Sequence, residues 1–109
     1  MTDARLRLIL DCNSEQAARR VIARVTGLDG WHLEDLKPYD KGGFEANLSG
    51  KTAAIGRAEG ILELIALAQS FGRSWALTGD INDELDLTSR EFTVSGVTFA
   101  WLTATHVRP

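Results

Sequence analysis

Cys12 is the chain's single thiol, and it stands between a segment of strand-like alternation and a segment of helical periodicity. A helix N-terminus favours the thiolate, so this is where a nucleophile would be sought. A phosphate-handling cysteine loop needs an Arg six positions on and glycines that aim N–H groups at the anion. Here that position is Ala18, and the first arginine, Arg19, comes one residue late. Cys12 reads instead as a small packed hydrophobe. His32 and His106 have no partner at metal-ligand spacing. His32-Leu33-Glu34 matches the opening of a zinc deaminase motif, which needs a later cysteine pair that one Cys cannot supply. Gly50-Lys51-Thr52 matches the end of a phosphate loop, but the glycine required five residues earlier is Glu45. No metal and no cofactor is expected. The one route left to an enzyme is a His32 or His106 side chain paired with a carboxylate that the fold brings up.

The acids form the strongest asymmetry. The chain carries 12 Lys+Arg against 15 Asp+Glu, a formal net charge of -3. Five of those acids (Asp80, Asp83, Glu84, Asp86 and Glu91) fall within residues 80–91 beside one base, Arg90. The other residues keep 11 bases and 10 acids, so the whole excess lies in one segment. A calcium loop does not fit, because Leu85 stands where the sharp-turn glycine belongs. Glu84 and Asp86 alternate with Leu85 and Leu87, the spacing of a strand with one acidic face. Such a face is either a charged edge that resists aggregation or a binding surface for a basic partner.

The elements that must position these groups follow from periodicity. Residues 5–11 alternate, with Leu6, Leu8 and Leu10 on one side and Arg5, Arg7 and Ile9 on the other. Asn13 is the expected N-cap of a helix whose stripe is Ala17, Ala18, Val21, Ile22, Val25 and Leu28, with Gly27 as its stop. A hairpin is expected from Trp31 through Ser49, turning at residues 40–43. A second helix is expected over 53–71, with Ile55, Ala58, Ile61, Leu62, Ile65 and either Ala68 or Ala66 on its apolar face. Gly56 and Gly60 within it point to close packing. Strands over 74–78, 84–88, 92–94 and 97–103 follow, the last two joined by a turn at Ser95-Gly96. Ala100 and Leu102 make the last strand apolar on both faces, as for a covered central strand. The three tryptophans all fall on or beside expected strands and are assigned to the core, with one available as an interface anchor.

The fold class is therefore α+β. The expected architecture is a ferredoxin-like βαββαβ core with an extra C-terminal β-hairpin and two helices on one face of a mostly antiparallel sheet. One domain spans residues 1–109, since 109 residues with 44% hydrophobic and 25% charged content suit a single folded unit. No segment approaches the roughly 20 apolar residues of a membrane span, and no secretory signal is expected, so membrane partners are excluded and a cytoplasmic location is expected. The acidity and the aromatic-free first strand argue against nucleic acid.

In length, acidity and α+β arrangement the whole chain resembles the small bacterial immunity proteins that neutralise a cognate toxin, often a nuclease. The resemblance rests on no single motif. It implies a non-enzymatic inhibitor that occludes a basic toxin's site, with Asp80, Asp83, Glu84, Asp86 and Glu91 on the residues the toxin uses for its substrate. The alternatives are a ferredoxin-like regulatory or small-molecule-binding module, as monomer or homodimer, and the small His–carboxylate enzyme.

Overall fold

A computed structural model describes residues 2–105. The elements run β1 (Asp3–Leu10), α1 (Glu15–Arg24), β2 (His32–Pro38), β3 (Phe44–Lys51) and α2 (Arg57–Phe71). Then come β4 (Gly72–Arg73), β5 (Ala76–Gly79), β6 (Leu85–Ser89), β7 (Glu91–Phe92) and β8 (Val97–Ala104). Six strands make one antiparallel sheet in the order β2-β3-β1-β8-β6-β5, and β4 pairs separately with β7.

The alternation in β1 is realised: Leu6, Leu8 and Leu10 are buried, and Arg5 and Arg7 turn to the other face. Register then builds a single row across the sheet. Leu33 pairs with Leu48, Leu48 with Leu6, Leu6 with Leu102, Leu102 with Leu87, and Leu87 with Leu77. Both helices contribute to the cluster on this face, α1 through Ala18 and Val21 and α2 through Ile61, Leu64, Ala68 and Phe71. Ala46 and Ala100 flank Leu8 in the neighbouring row, where small side chains let the helices approach. Phe71, Trp75 and Phe92 close one end, edge-to-face and stacked at centroid separations of 5.6–6.2 Å.

Three local expectations shift. Ser14, not Asn13, caps α1, its Oγ accepting from the Ala17 N–H at 3.1 Å. The second helix begins at Arg57 because the Glu63 carboxylate takes the Ala53 and Ala54 N–H groups, holding them outside the helical ladder. Its buried stripe is Ile61, Leu64, Ala68 and Phe71, which leaves Leu62 65% exposed. The position of α2 is set by Gly60, where a Cβ would stand 2.7 Å from Thr2 Oγ1 and 3.1 Å from Thr52 Oγ1. Thr52 in turn accepts from the Thr2 N–H, so the helix rests on the start of β1.

The order of the last strands differs from the expected one. The ferredoxin-like reading takes the strand following α2 as the last of the core and appends the final hairpin. Instead β8 lies between β1 and β6, and β5 goes to the far edge. The extra hairpin, β5–β6, is inserted before the last strand rather than added after it. The physical reason lies in the residues: β8 offers Ala100, Leu102 and Ala104 to the helices, all buried, whereas every residue of β5 is exposed. Ser95-Gly96 does not join paired strands, because β7 pairs with β4. Among the described residues no helix is long and apolar enough to cross a membrane.

Candidate binding face

The sheet is covered on one side only. On its helix-free side two rows of side chains cross all six strands. One row runs Asp35, Asn47, Arg7, Trp101, Thr88 and Ala76; the other runs His32, Ser49, Arg5, Thr103, Asp86 and Thr78. Two bulges set this display. An extra residue at Glu34 in β2 and another at Thr98 in β8 each reverse the phase of the strand. The bulge at Thr98 lets Val97 stay buried while Phe99, Trp101 and Thr103 turn outward. The apolar residues of β8 are thus split, and the expectation that both its faces are covered fails. Trp101 is 40% exposed in the middle of the open face.

The middle of that face is a shallow hollow of about 820 Å³, bordered by Arg5, Arg7, Glu34, Asn47, Glu84 and Trp101 among others. Its polar groups are largely fixed by one another. Asp86 Oδ1 accepts from Trp101 Nε1 and from Thr103 Oγ1, both at 2.9 Å. Glu45 accepts from Asn47 Nδ2 and from Arg7 Nη2, both at 2.9 Å. The Asn47 and Arg7 hydrogen bonds hold the Glu45 carboxyl below its usual range, against the opposing effect of burial. The same Glu45 bond pushes the Arg7 guanidinium up. Arg7 also lies 5.9 Å from the Tyr39 ring centre, and Arg90 lies 5.2 Å from that of Phe99. The face therefore pairs cations with aromatic rings beside acids, and hydrogen bonds among its own residues hold Arg7, Asn47, Trp101 and Thr103 in place.

The five acids singled out in the sequence do not form one patch. Asp80, Asp83 and Glu84 sit together, all exposed, at the tip of the β5–β6 hairpin. Asp86 lies on the open face and is engaged by Trp101 and Thr103. Glu91 lies on β7, past the far end of β6, on the order of 20 Å from the tip. Among the described residues none of the three tip carboxylates has a salt bridge.

The tip is held from outside. Gly79 has φ 101° and allows the chain to pass the Glu84 carbonyl, which a Cβ would meet at 2.1 Å. Asp80 Oδ1 accepts from the Asn82 N–H at 2.8 Å. Arg57, at the start of α2, donates Nε to the Ile81 carbonyl at 2.8 Å, Nη1 to that of Thr105 at 2.7 Å, and Nη2 to that of Asp83. One guanidinium fork thus fastens the tip to the end of β8. Sequence reasoning passed over Arg57, because its partners are backbone carbonyls more than 20 positions away.

The other candidate groups separate. Burial and the neighbouring Asp11 push the Cys12 thiol up, the reverse of an activated nucleophile. Gly50 and Lys51 belong to β3, where Gly50 admits the Trp31 ring, so the phosphate-loop resemblance ends there. His32 is exposed at the start of β2, and among the described residues no carboxylate pairs with it. His106 lies outside the described residues. Among the described residues no three His, Cys, Asp or Glu side chains gather to hold a metal ion.

No family model, no curated protein and no solved structure matches this chain.

Proposed function

We propose that the chain is a non-enzymatic protein-binding module that docks on a basic partner through the hairpin tip and the adjoining open sheet face. The observation that carries this reading is the Arg57 fork: it fixes a tip whose Asp80, Asp83 and Glu84 carboxylates all stay exposed. A charged surface ordered before contact loses less entropy on binding than a mobile one. Glu84 also borders the hollow that holds Trp101, so an acidic rim adjoins an aromatic anchor. The partner class is a basic bacterial toxin, such as a nuclease, whose substrate site this surface would occlude; the acids would replace the substrate's negative charge. In this reading Asp86 orients Trp101 rather than meeting the partner directly, and Glu91 lies at the margin.

The architecture we infer is a ferredoxin-like core made of β1, α1, β2, β3, α2 and β8, with β4–β7 inserted between its last helix and last strand. A ferredoxin-like small-molecule module is the second reading, favoured by the hollow of about 820 Å³ on the open face.

The test is a binding titration, at low and high salt, against any basic protein that the neighbouring genes are found to encode. The variant Asp80→Lys/Asp83→Lys/Glu84→Lys should lose at least tenfold in affinity and keep the wild-type far-ultraviolet spectrum. Affinity unchanged by both salt and the triple substitution rejects the acidic-docking reading. A ligand-dependent rise in melting temperature with a small molecule, and no protein partner, moves the assignment to the second reading.

A further inference from the structure

The two edges of the six-stranded sheet are built differently. At the β2 edge, Glu34 forms a bulge, Asp35 and Lys37 supply charge, and Pro38 ends the strand. These are the features that keep an edge from pairing with another chain. The β5 edge has none of them. Its sequence is Ala76-Leu77-Thr78-Gly79, without charge, proline or bulge, and all four residues are exposed. Leu77 is 53% exposed although it ends the leucine row that crosses all six strands. Ile65 and Gln69 of α2 border it in a hollow of about 380 Å³. The nearby Ile81 is a further exposed apolar side chain, at 45%.

We infer that β5 pairs antiparallel with β5 of a second copy of this chain, making a two-fold dimer with a continuous twelve-stranded sheet. One observation selects a second copy as the occupant, and the geometry of the edge fits it in two further ways. The charges at this edge are self-complementary: exposed Arg73 precedes β5, and Asp80, Asp83 and Glu84 follow it. Antiparallel pairing sets each basic end beside the other copy's acidic end, whereas parallel pairing sets like beside like. Next, a two-fold axis perpendicular to the sheet keeps each copy's helix face on the same side. Side-chain alternation then requires a residue to oppose one of the same parity. Leu77 opposite Leu77 satisfies this and lets each leucine cover the other. Finally, that register carries the leucine row on into the second copy. The helix-covered faces merge and both open faces remain exposed; the tip acids are common to this seam and to the proposed docking surface, and a mass measurement made without any partner reads the seam alone.

Sedimentation equilibrium over micromolar to millimolar chain tests this, with Leu77→Lys as the disrupting variant. The wild type should shift with concentration to twice the chain mass. L77K, which sets two ammonium groups opposite each other, should stay at monomer mass with an unchanged far-ultraviolet spectrum. A cysteine pair reads the register independently, should L77K fail to fold. In a Cys12→Ser background, Leu77→Cys should cross-link on mild oxidation, because directly opposed residues stand about 4.5–5.5 Å apart at Cα, within disulfide range. Thr78→Cys should not, because its two copies would lie about 8 Å apart. A wild type monomeric at every concentration overturns the inference. So does a dimer that survives L77K, or one that cross-links through T78C and not L77C.

Discussion

Trp101 and Leu102 are consecutive residues of β8 on opposite sides of one sheet. Leu102 is wholly buried in the leucine row beneath the helices, while Trp101 stands 40% exposed between Arg7 and Thr88. The two faces share a backbone and little else. The covered face is aliphatic, with alanines where the helices press closest, and its interactions are non-directional. The open face is a lattice of directed bonds: Asp86 to Trp101 and Thr103, Glu45 to Arg7 and Asn47. Apolar burial is concentrated on the first face and directed polar contact on the second, so a substitution's effect should depend on residue parity more than on position in the strand.

The sharpest way to break that comparison is to truncate both neighbours. Leu102→Ala should cost about 2–5 kcal/mol, since the surrounding packing can collapse only in part. Trp101→Ala removes more atoms yet should cost no more than about 1–3 kcal/mol, because 40% of the residue is already in water and Asp86 keeps its Thr103 bond. Denaturant unfolding of the two variants measures both. Equal losses would mean the open face is as much a part of the core as the covered one.

Arg57→Ala should come next, at about 1–3 kcal/mol, from lost charge-assisted bonds to carbonyls that water can only partly replace. The loss should be local. Hydrogen exchange at the Asp80 and Asp83 amides, which bond the Glu84 and Asp80 carbonyls, should accelerate while β1 amides stay protected. Uniform acceleration would show that the fork holds the whole fold rather than the tip.

These contrasts also mark what the sequence could disclose. Alternation in β1, β3 and β6 assigns faces correctly, because period 2 is a property of each strand alone. Strand order is a property of pairs, so nothing in 97–103 says that this segment lies beside β1. The bulge at Thr98 breaks the period where the reading most needed it. The charge count found the tip acids, but not that Asp86 is engaged by Trp101 or that Glu91 lies at the other end of β6. Arg5, Arg7 and Trp101 become neighbours only through cross-strand register, and Arg57 meets the tip only through the fold.

The smallest expected effect sharpens the comparison most, because it tests whether the open face contributes to folding through charge at all. Glu45 is mostly buried, and its carboxylate is favoured first by Asn47 and then by Arg7. A carboxyl whose folded value lies below the ordinary 4.5 adds stability above that pH and loses it as pH falls through the lower folded value. The Arg7 guanidinium, pushed up from an already high value, stays charged throughout and adds no slope of its own. Glu45→Gln should therefore be less stable than wild type at neutral pH, by under about 1 kcal/mol given the screening at the partly exposed Arg7. The gap should begin to close as pH drops below about 4.5 and be closed below the lower folded value, where the wild-type carboxyl is neutral as well. Unfolding free energies of the two proteins across acid pH give the difference curve directly. A gap that stays constant with pH would assign the Glu45 contribution to shape and hydrogen bonding alone, and the open face would then hold its charges for a partner rather than for the fold.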